Sequence, residues 1–284
     1  MVLGAAAPVY ATNDAGFAAD SACVAVYLFE DGLTDSKGDN DLTQTVNSTI
    51  GYSTTKMEGA KSGDFESGDA VKDQAQITDA ACGAGMPCKS GTTNRTISVC
   101  AWVWTESIPT GNDQVWRIAG KHLDEDAGRG WQMSLTQTDG VDKFRVRFGQ
   151  TNATEGDAAQ TVVLAPTTAF ALSQWYHLAF TCDASGNYRL TIYDGTAAQR
   201  TTATGTLTLG ALSVSTADLW VGYQSSVNYP WDGRIDELCI FNDVLTADEI
   251  DAIRAGTYAG PAAAGGPSGT FAPGFAAGFG DGWL

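Results

Sequence analysis

The chain has 284 residues, of which 43% are hydrophobic, 17% are charged and 33 are glycine. Lys plus Arg number 16 and Asp plus Glu 33, a net charge of −17. The length fits one large β domain with extensions, the composition disfavours a helical bundle, and the acidity excludes general nucleic-acid binding because phosphate backbones are repelled.

Residues 1–20 are Ala-rich and aperiodic and predict an extended N-terminal arm. The opening MVLGAAAPVYA has no basic residue ahead of its apolar stretch and is not expected to act as an export signal. ACVAVYLF (22–29) predicts a buried strand, too short to span a membrane, so no membrane partner is expected. A polar turn, EDGLTDSKGDND, and weaker β segments follow to about residue 80. Cys82 and Cys88 flank GAGMP, a spacing that a disulfide could close, whereas Cys23, Cys100, Cys182 and Cys239 sit in apolar segments as small buried thiols. With no C-x-x-C pair and only His122 and His177, no zinc site is expected.

TISVCAWVWT (96–105) alternates with large or apolar residues on both faces, as an inner strand of a two-sheet sandwich does. QVWRIAGK, GWQMSLTQ, KFRVRFG, QTVVLAP, QWYHLAFTC, NYRLTIYDG, TGTLTLG, ADLWVGYQ and GRIDELCIFN continue at short spacing with turn residues between them. Asp194-Gly195 is a hairpin signal. Thr246-Ala-Asp-Glu249 is a capping box, Leu245 and Ile250 form a hydrophobic staple, and Gly256 can close the helix so begun. Beyond Tyr258 a linker, GPAAAGGPSG, leads to a tail in which Phe271, Phe275, Phe279 and Trp283 recur among glycines. Pro273 and the glycines argue against a helix there, so the tail reads as an extended anchor. The predicted organisation is an arm (1–20), a sandwich (21–258), and a linker with aromatic tail (259–284).

Four blocks together resemble the laminin G-like jelly roll of the concanavalin A-like lectin and glucanase superfamily. They are VYLFEDGLTDSKGDN (26–40), RTISVCAWVWT (95–105), QWYHLAFTCDASGNYRLTIYDGT (174–196) and WDGRIDELCIFNDVLTADEI (231–250). GAKSGDF (59–65) fits a further family segment loosely. The resemblance implies an all-β, two-sheet antiparallel jelly-roll sandwich with one short C-terminal helix. It does not choose among glycan binding, protein binding and architecture.

The Glu-x-Asp-x-x-Glu strand of the superfamily's glucanases is missing: the nearest string, Glu249-Ile-Asp251-Ala-Ile-Arg254, ends in Arg and lies on the capped helix, so no enzyme activity is expected. His177 belongs to a strand motif and reads as structural, and His122 lies beside the acidic run Asp124-Glu125-Asp126, read as a solvated turn. First and last strands are neighbours in a jelly roll, which brings Glu30 and Asp35 toward Asp236. The family often carries a structural calcium near this region, and three carboxylates with loop carbonyls suit that cation; the alternative is that Asp236 and Glu237 pair with Arg234 or cap a backbone turn. For carbohydrate stacking the best exposed aromatic is Tyr229, followed by Trp131 and Trp116, while Trp102, Trp175, Trp220 and Trp231 read as core. Phe271, Phe275, Phe279 and Trp283 are candidate contacts to a partner. The functional expectation is a non-catalytic structural and adhesive subunit of a larger particle. A phage virion surface protein (decoration or fibre) fits, with weak glycan binding and with arm and tail laced into neighbouring subunits. The alternative is a secreted or cell-surface bacterial carbohydrate-binding module.

Overall fold

A computed structural model describes residues 13–45, 48–67, 72–123, 128–150, 158–194, 200–222 and 230–261. Two antiparallel sheets face each other. With strands numbered in chain order, the first sheet runs β13 (Arg200–Thr206), β12 (Asn187–Asp194), β11 (Trp175–Cys182), β6 (Ile97–Thr105), β15 (Gly233–Phe241), β4 (Ser62–Phe65), β3 (Gly51–Ser53), with β1 (Cys23–Tyr27) also paired to β15. The second runs β10 (Ala158–Leu164), β9 (Val141–Gln150), β8 (Arg129–Thr138), β7 (Val115–His122), β14 (Leu219–Val221), β5 (Ala75–Ile77), β2 (Thr43–Gln44).

Side chains alternate across each strand. On β6, Ile97, Val99, Ala101 and Val103 enter the core between the sheets, while Cys100 belongs to a second, smaller core outside the first sheet. That outer core is covered by two helices, α1 (Asp14–Ala19) and α2 (Ala247–Arg254). Helix α2 has both halves of the predicted capping box: Glu249 N donates to Thr246 Oγ1 (3.2 Å) and Thr246 N donates to Glu249 Oε2 (2.8 Å). Leu245 and Ile250 are buried together as the staple requires, and Gly256 closes the helix at φ 67°. β12 and β13 pair as a hairpin, while the Gly195 turn lies outside the described residues.

Helix α1 corrects the expected arm. Residues 14–19 are helical, and Phe17, 2% exposed, packs its ring 6.2 Å from Phe241 and 5.7 Å from Tyr258. Gly16 permits this approach, since a Cβ there would lie 2.0 Å from the Tyr258 carbonyl oxygen. Residues 1–12 and 262–284 lie outside the described residues. All six cysteines are buried free thiols, Cys82 and Cys88 included.

β15 changes partner along its length. Gly233–Ile235 pairs with β4, and Leu238–Phe241 pairs with β1. Its register to β6 shifts between Asp236 and Cys239, and Glu237 takes φ 46° in that bulge. Phe17→Ala is expected to cost about 3 kcal/mol, read as a lower urea midpoint; an unchanged midpoint would mean that α1 does not hold to the sandwich in solution.

Candidate functional site

The break in β15 opens a pocket of about 260 Å³, lined by Asp14, Glu30, Glu58, Asp236, Glu237 and the 59–60 backbone. Glu30 arrives from the turn after β1, where Phe29 and Asp31 both have positive φ. Glu58 arrives from the segment before β4. The 57–61 backbone drapes over two carboxylates: Met57 N and Glu58 N donate to Asp236 Oδ2 (2.8 and 3.1 Å), and Ala60 N and Lys61 N donate to the two oxygens of Glu30 (2.7 and 3.0 Å).

Asn13, buried just before α1, joins the chain ends to this pocket. Its Nδ2 donates to Glu237 Oε2 (2.9 Å), Glu58 Oε1 (3.3 Å) and the Ile253 carbonyl (2.8 Å), and its Oδ1 accepts from Tyr258 N (2.8 Å). Glu237 Oε1 and Glu58 Oε2 remain buried with no hydrogen-bond partner. Burial, reinforced by the neighbouring Glu237 and Glu30 charges, pushes Asp236 up to about 7. Burial, then a carboxyl–carboxyl hydrogen bond with Glu58 and the charge of that group, push Glu237 well above the carboxylate range. No basic side chain lines the pocket among the described residues, so its acids favour either protons or a cation.

The expected trio is only partly assembled. Glu30 and Asp236 meet in the pocket. Asp35 is directed elsewhere: its Oδ1 accepts from Val26 N and Lys37 N, and its Oδ2 accepts from Asn40 N and Nδ2, so its lone pairs are spent on a turn. Glu58 and Glu237 take its place. Adjacency to Asp236 was the available sign for Glu237; Glu58, ahead of Gly59, carried none. Asp236 and Glu237 do not pair with Arg234. Arg234 instead holds Glu106 (2.6 Å) and Asp64 (3.4 Å) while lying over the Trp104 ring. Asp64, Glu66 and Glu106 could gather round a metal, but this guanidinium already neutralises part of that cluster.

Among the aromatics, Trp131 is a correction. It is 0% exposed, its ring 5.6 Å from Phe180 in the main core, and it offers no face to a sugar. Trp116 is half-buried against that core with its indole N–H donating to Ser107 Oγ (2.9 Å). Trp102, Trp175, Trp220 and Trp231 are buried. Tyr229, Phe271, Phe275, Phe279 and Trp283 lie outside the described residues. His122, expected in a solvated turn, is buried at the end of β7.

His177 is buried in the outer core, edge-on to Trp102 at 5.0 Å. Burial, then the Arg254 charge, pushes its pKa down to about 3. The unfolded imidazole takes a proton near 6.5, so this group's contribution to stability is complete above that pH and declines as pH falls toward 3. The urea midpoint of His177→Phe relative to wild type is expected to move in the variant's favour between pH 7 and pH 5. A gap independent of pH would contradict the neutral, buried histidine.

Two facing antiparallel sheets and an outer helix that opens on a capping box define a jelly-roll sandwich. The chain belongs to the concanavalin A-like lectin/glucanases superfamily, whose laminin G-like family profile matches residues 69–251. No curated protein matches the sequence. Among solved structures it is similar to domain 4 of AbnA, a GH43 extracellular arabinanase from Geobacillus stearothermophilus in complex with arabinotriose. That match has 19% identity and TM-score 0.54 and covers 82% of this chain and 98% of that one. It is similar to the binding domain of botulinum neurotoxin serotype D (11% identity, TM-score 0.57, 86% and 52% covered). It is also similar to the enzymatically active domain of tailspike protein 2 of bacteriophage CBA120 (11%, TM-score 0.52, 76% and 30%). The chain thus spans about half of the toxin binding domain and less than a third of the tailspike chain. At these identities the likeness is one of fold.

Proposed function

We propose that the chain is a non-catalytic, glycan-binding adhesive module, a structural subunit on the surface of a larger particle such as a phage virion, braced by calcium in its acidic pocket. The observation that carries the non-catalytic reading is the closure of the carboxylates. Glycosidic cleavage needs two carboxyl groups flanking an open cleft, whereas Asp236, Glu237 and Glu58 are buried and held by backbone amides and Asn13. Such a cluster holds a cation rather than a substrate. Glu30, Glu58, Asp236 and Glu237 are the proposed ligands, and the unpaired oxygens of Glu58 and Glu237 suit a hard dication.

The tailspike among the fold's relatives supports the particle reading. Residues 1–12 and the aromatics Phe271, Phe275, Phe279 and Trp283 are the proposed contacts to neighbouring subunits. The arabinanase domain, matched over nearly its whole length, favours the second reading, an extracellular or cell-surface bacterial carbohydrate-binding module. No helix among the described residues is long and apolar enough to cross a membrane.

Saturating calcium is expected to raise the melting temperature of EDTA-treated protein by roughly 5 °C, and Asp236→Asn is expected to abolish that gain; no shift in wild type would remove calcium from the account. The calcium-loaded chain should be retained on immobilised glycan without releasing reducing ends, and release by pure protein would overturn the non-catalytic reading.

A further inference from the structure

The largest cleft among those described lies elsewhere, on the outer face of the first sheet. There β11, β12 and β13 align cross-strand rows, Thr181–Arg189–Thr204 and Thr191–Thr202. These residues alternate with Leu190 and Ile192, which enter the main core, so they face outward beside α2. The first turn of α2, Thr246 to Asp248, overhangs the rows and encloses a groove of about 690 Å³. A narrower extension of about 160 Å³ shares Arg189, Thr204 and Ala247 with it and reaches Thr191 and Ile250. The main volume lies within the roughly 300–1,000 Å³ range of small-ligand sites.

Several polar groups in this groove have no partner within the described protein. Thr181 and Thr191 line the groove, and their hydroxyls make no hydrogen bond to another described residue, which leaves them open to a ligand. The Arg189 guanidinium has no ion pair or hydrogen bond there either, whereas Arg200 pairs with Asp251 (3.5 Å) and Arg254 lies over the Tyr193 ring. Asp183 is saturated by its own turn, accepting from Ser185 N, Asn187 N and Asn187 Nδ2. Asp248 remains as an acceptor at the rim.

We infer that this groove binds a neutral oligosaccharide, with Arg189 donating to ring or hydroxyl oxygens, Asp248 accepting, and the threonine hydroxyls doing both. Sugar hydroxyls each donate and accept, which matches donors and acceptors interleaved along one channel. A polyanion meets a chain of net charge −17 and is disfavoured. The assignment rests on the glycan-binding reading above and gives it a location that none of the predicted aromatics marked.

The test is calorimetric titration of the full, calcium-loaded chain with neutral arabinan, β-glucan, galactan and mannan oligosaccharides, beside polygalacturonate and heparin. At least one neutral series is expected to bind. Arg189→Ala is expected to weaken it by about tenfold or more, as is Thr204→Arg, which fills the groove from an exposed position. Lys143→Ala, on the second sheet, should leave affinity unchanged, and circular dichroism verifies that each variant is folded. Neutral-glycan binding that survives both groove variants overturns this site but leaves the glycan reading standing. Binding of the polyanions alone overturns the ligand class. No binding of any glycan by wild type overturns both.

Discussion

The change of partner halfway along β15 is the constraint on which the outer half of this molecule depends. A strand that pairs with β4 over its first residues and β1 over its last must leave a gap between those two. The bulge at Asp236–Glu237 sits opposite that gap and turns two consecutive acids toward it. In a regular strand consecutive side chains point to opposite faces. Glu237 can join Asp236 only because its backbone takes φ 46°, a conformation of order 1–3 kcal/mol above the ordinary β region that surrounding contacts must offset.

Those contacts come from both ends of the described chain. Asn13 touches two carboxylates, the end of α2 and the Tyr258 amide. The outer core then closes over Phe17, Phe241 and Tyr258. Burying carboxylates without a counter-charge is unfavourable, so such a cluster is weak support for stability in itself and persists where it specifies an arrangement or holds an ion. In this chain it does the first by fixing where the terminal segments lie. The second gives the calcium proposal its physical basis. The proposed glycan groove is a separate outcome of the same layer: α2 stands where the outer core requires, and its first turn overhangs the threonine rows of β12 and β13.

Much of this was legible in the sequence, where a local period or a cap decides the structure. The alternation of 96–105 gave β6, and Thr246, Glu249, Leu245 and Ile250 gave α2 with its cap. The parity of Trp131 with Met133 and Leu135 also marks it as inward. Other features depend on long-range contacts that no local pattern encodes. Six residues are too few for α1 to show a helical period, and it forms against Tyr258 and the pocket. Spacing brought Asp35 near Glu30 in the chain but could not reveal that its oxygens would be consumed by Val26, Lys37 and Asn40. A bulge is set by the pairing of other strands, so the convergence of Glu237 and Glu58 had no signature. The groove had a faint one, the alternating polar residues Arg189, Thr191, Thr202, Thr204 and Thr206, which composition alone reads as a solvated face.

The central claim is that the acidic pocket couples the two terminal segments to the break in β15 as one unit. Amide hydrogen exchange on Asn13→Ala beside wild type tests it most directly. Faster exchange appearing together in 14–19, 57–61 and 253–258 is the predicted result; faster exchange confined to 14–19, with the other two segments unchanged, would contradict it.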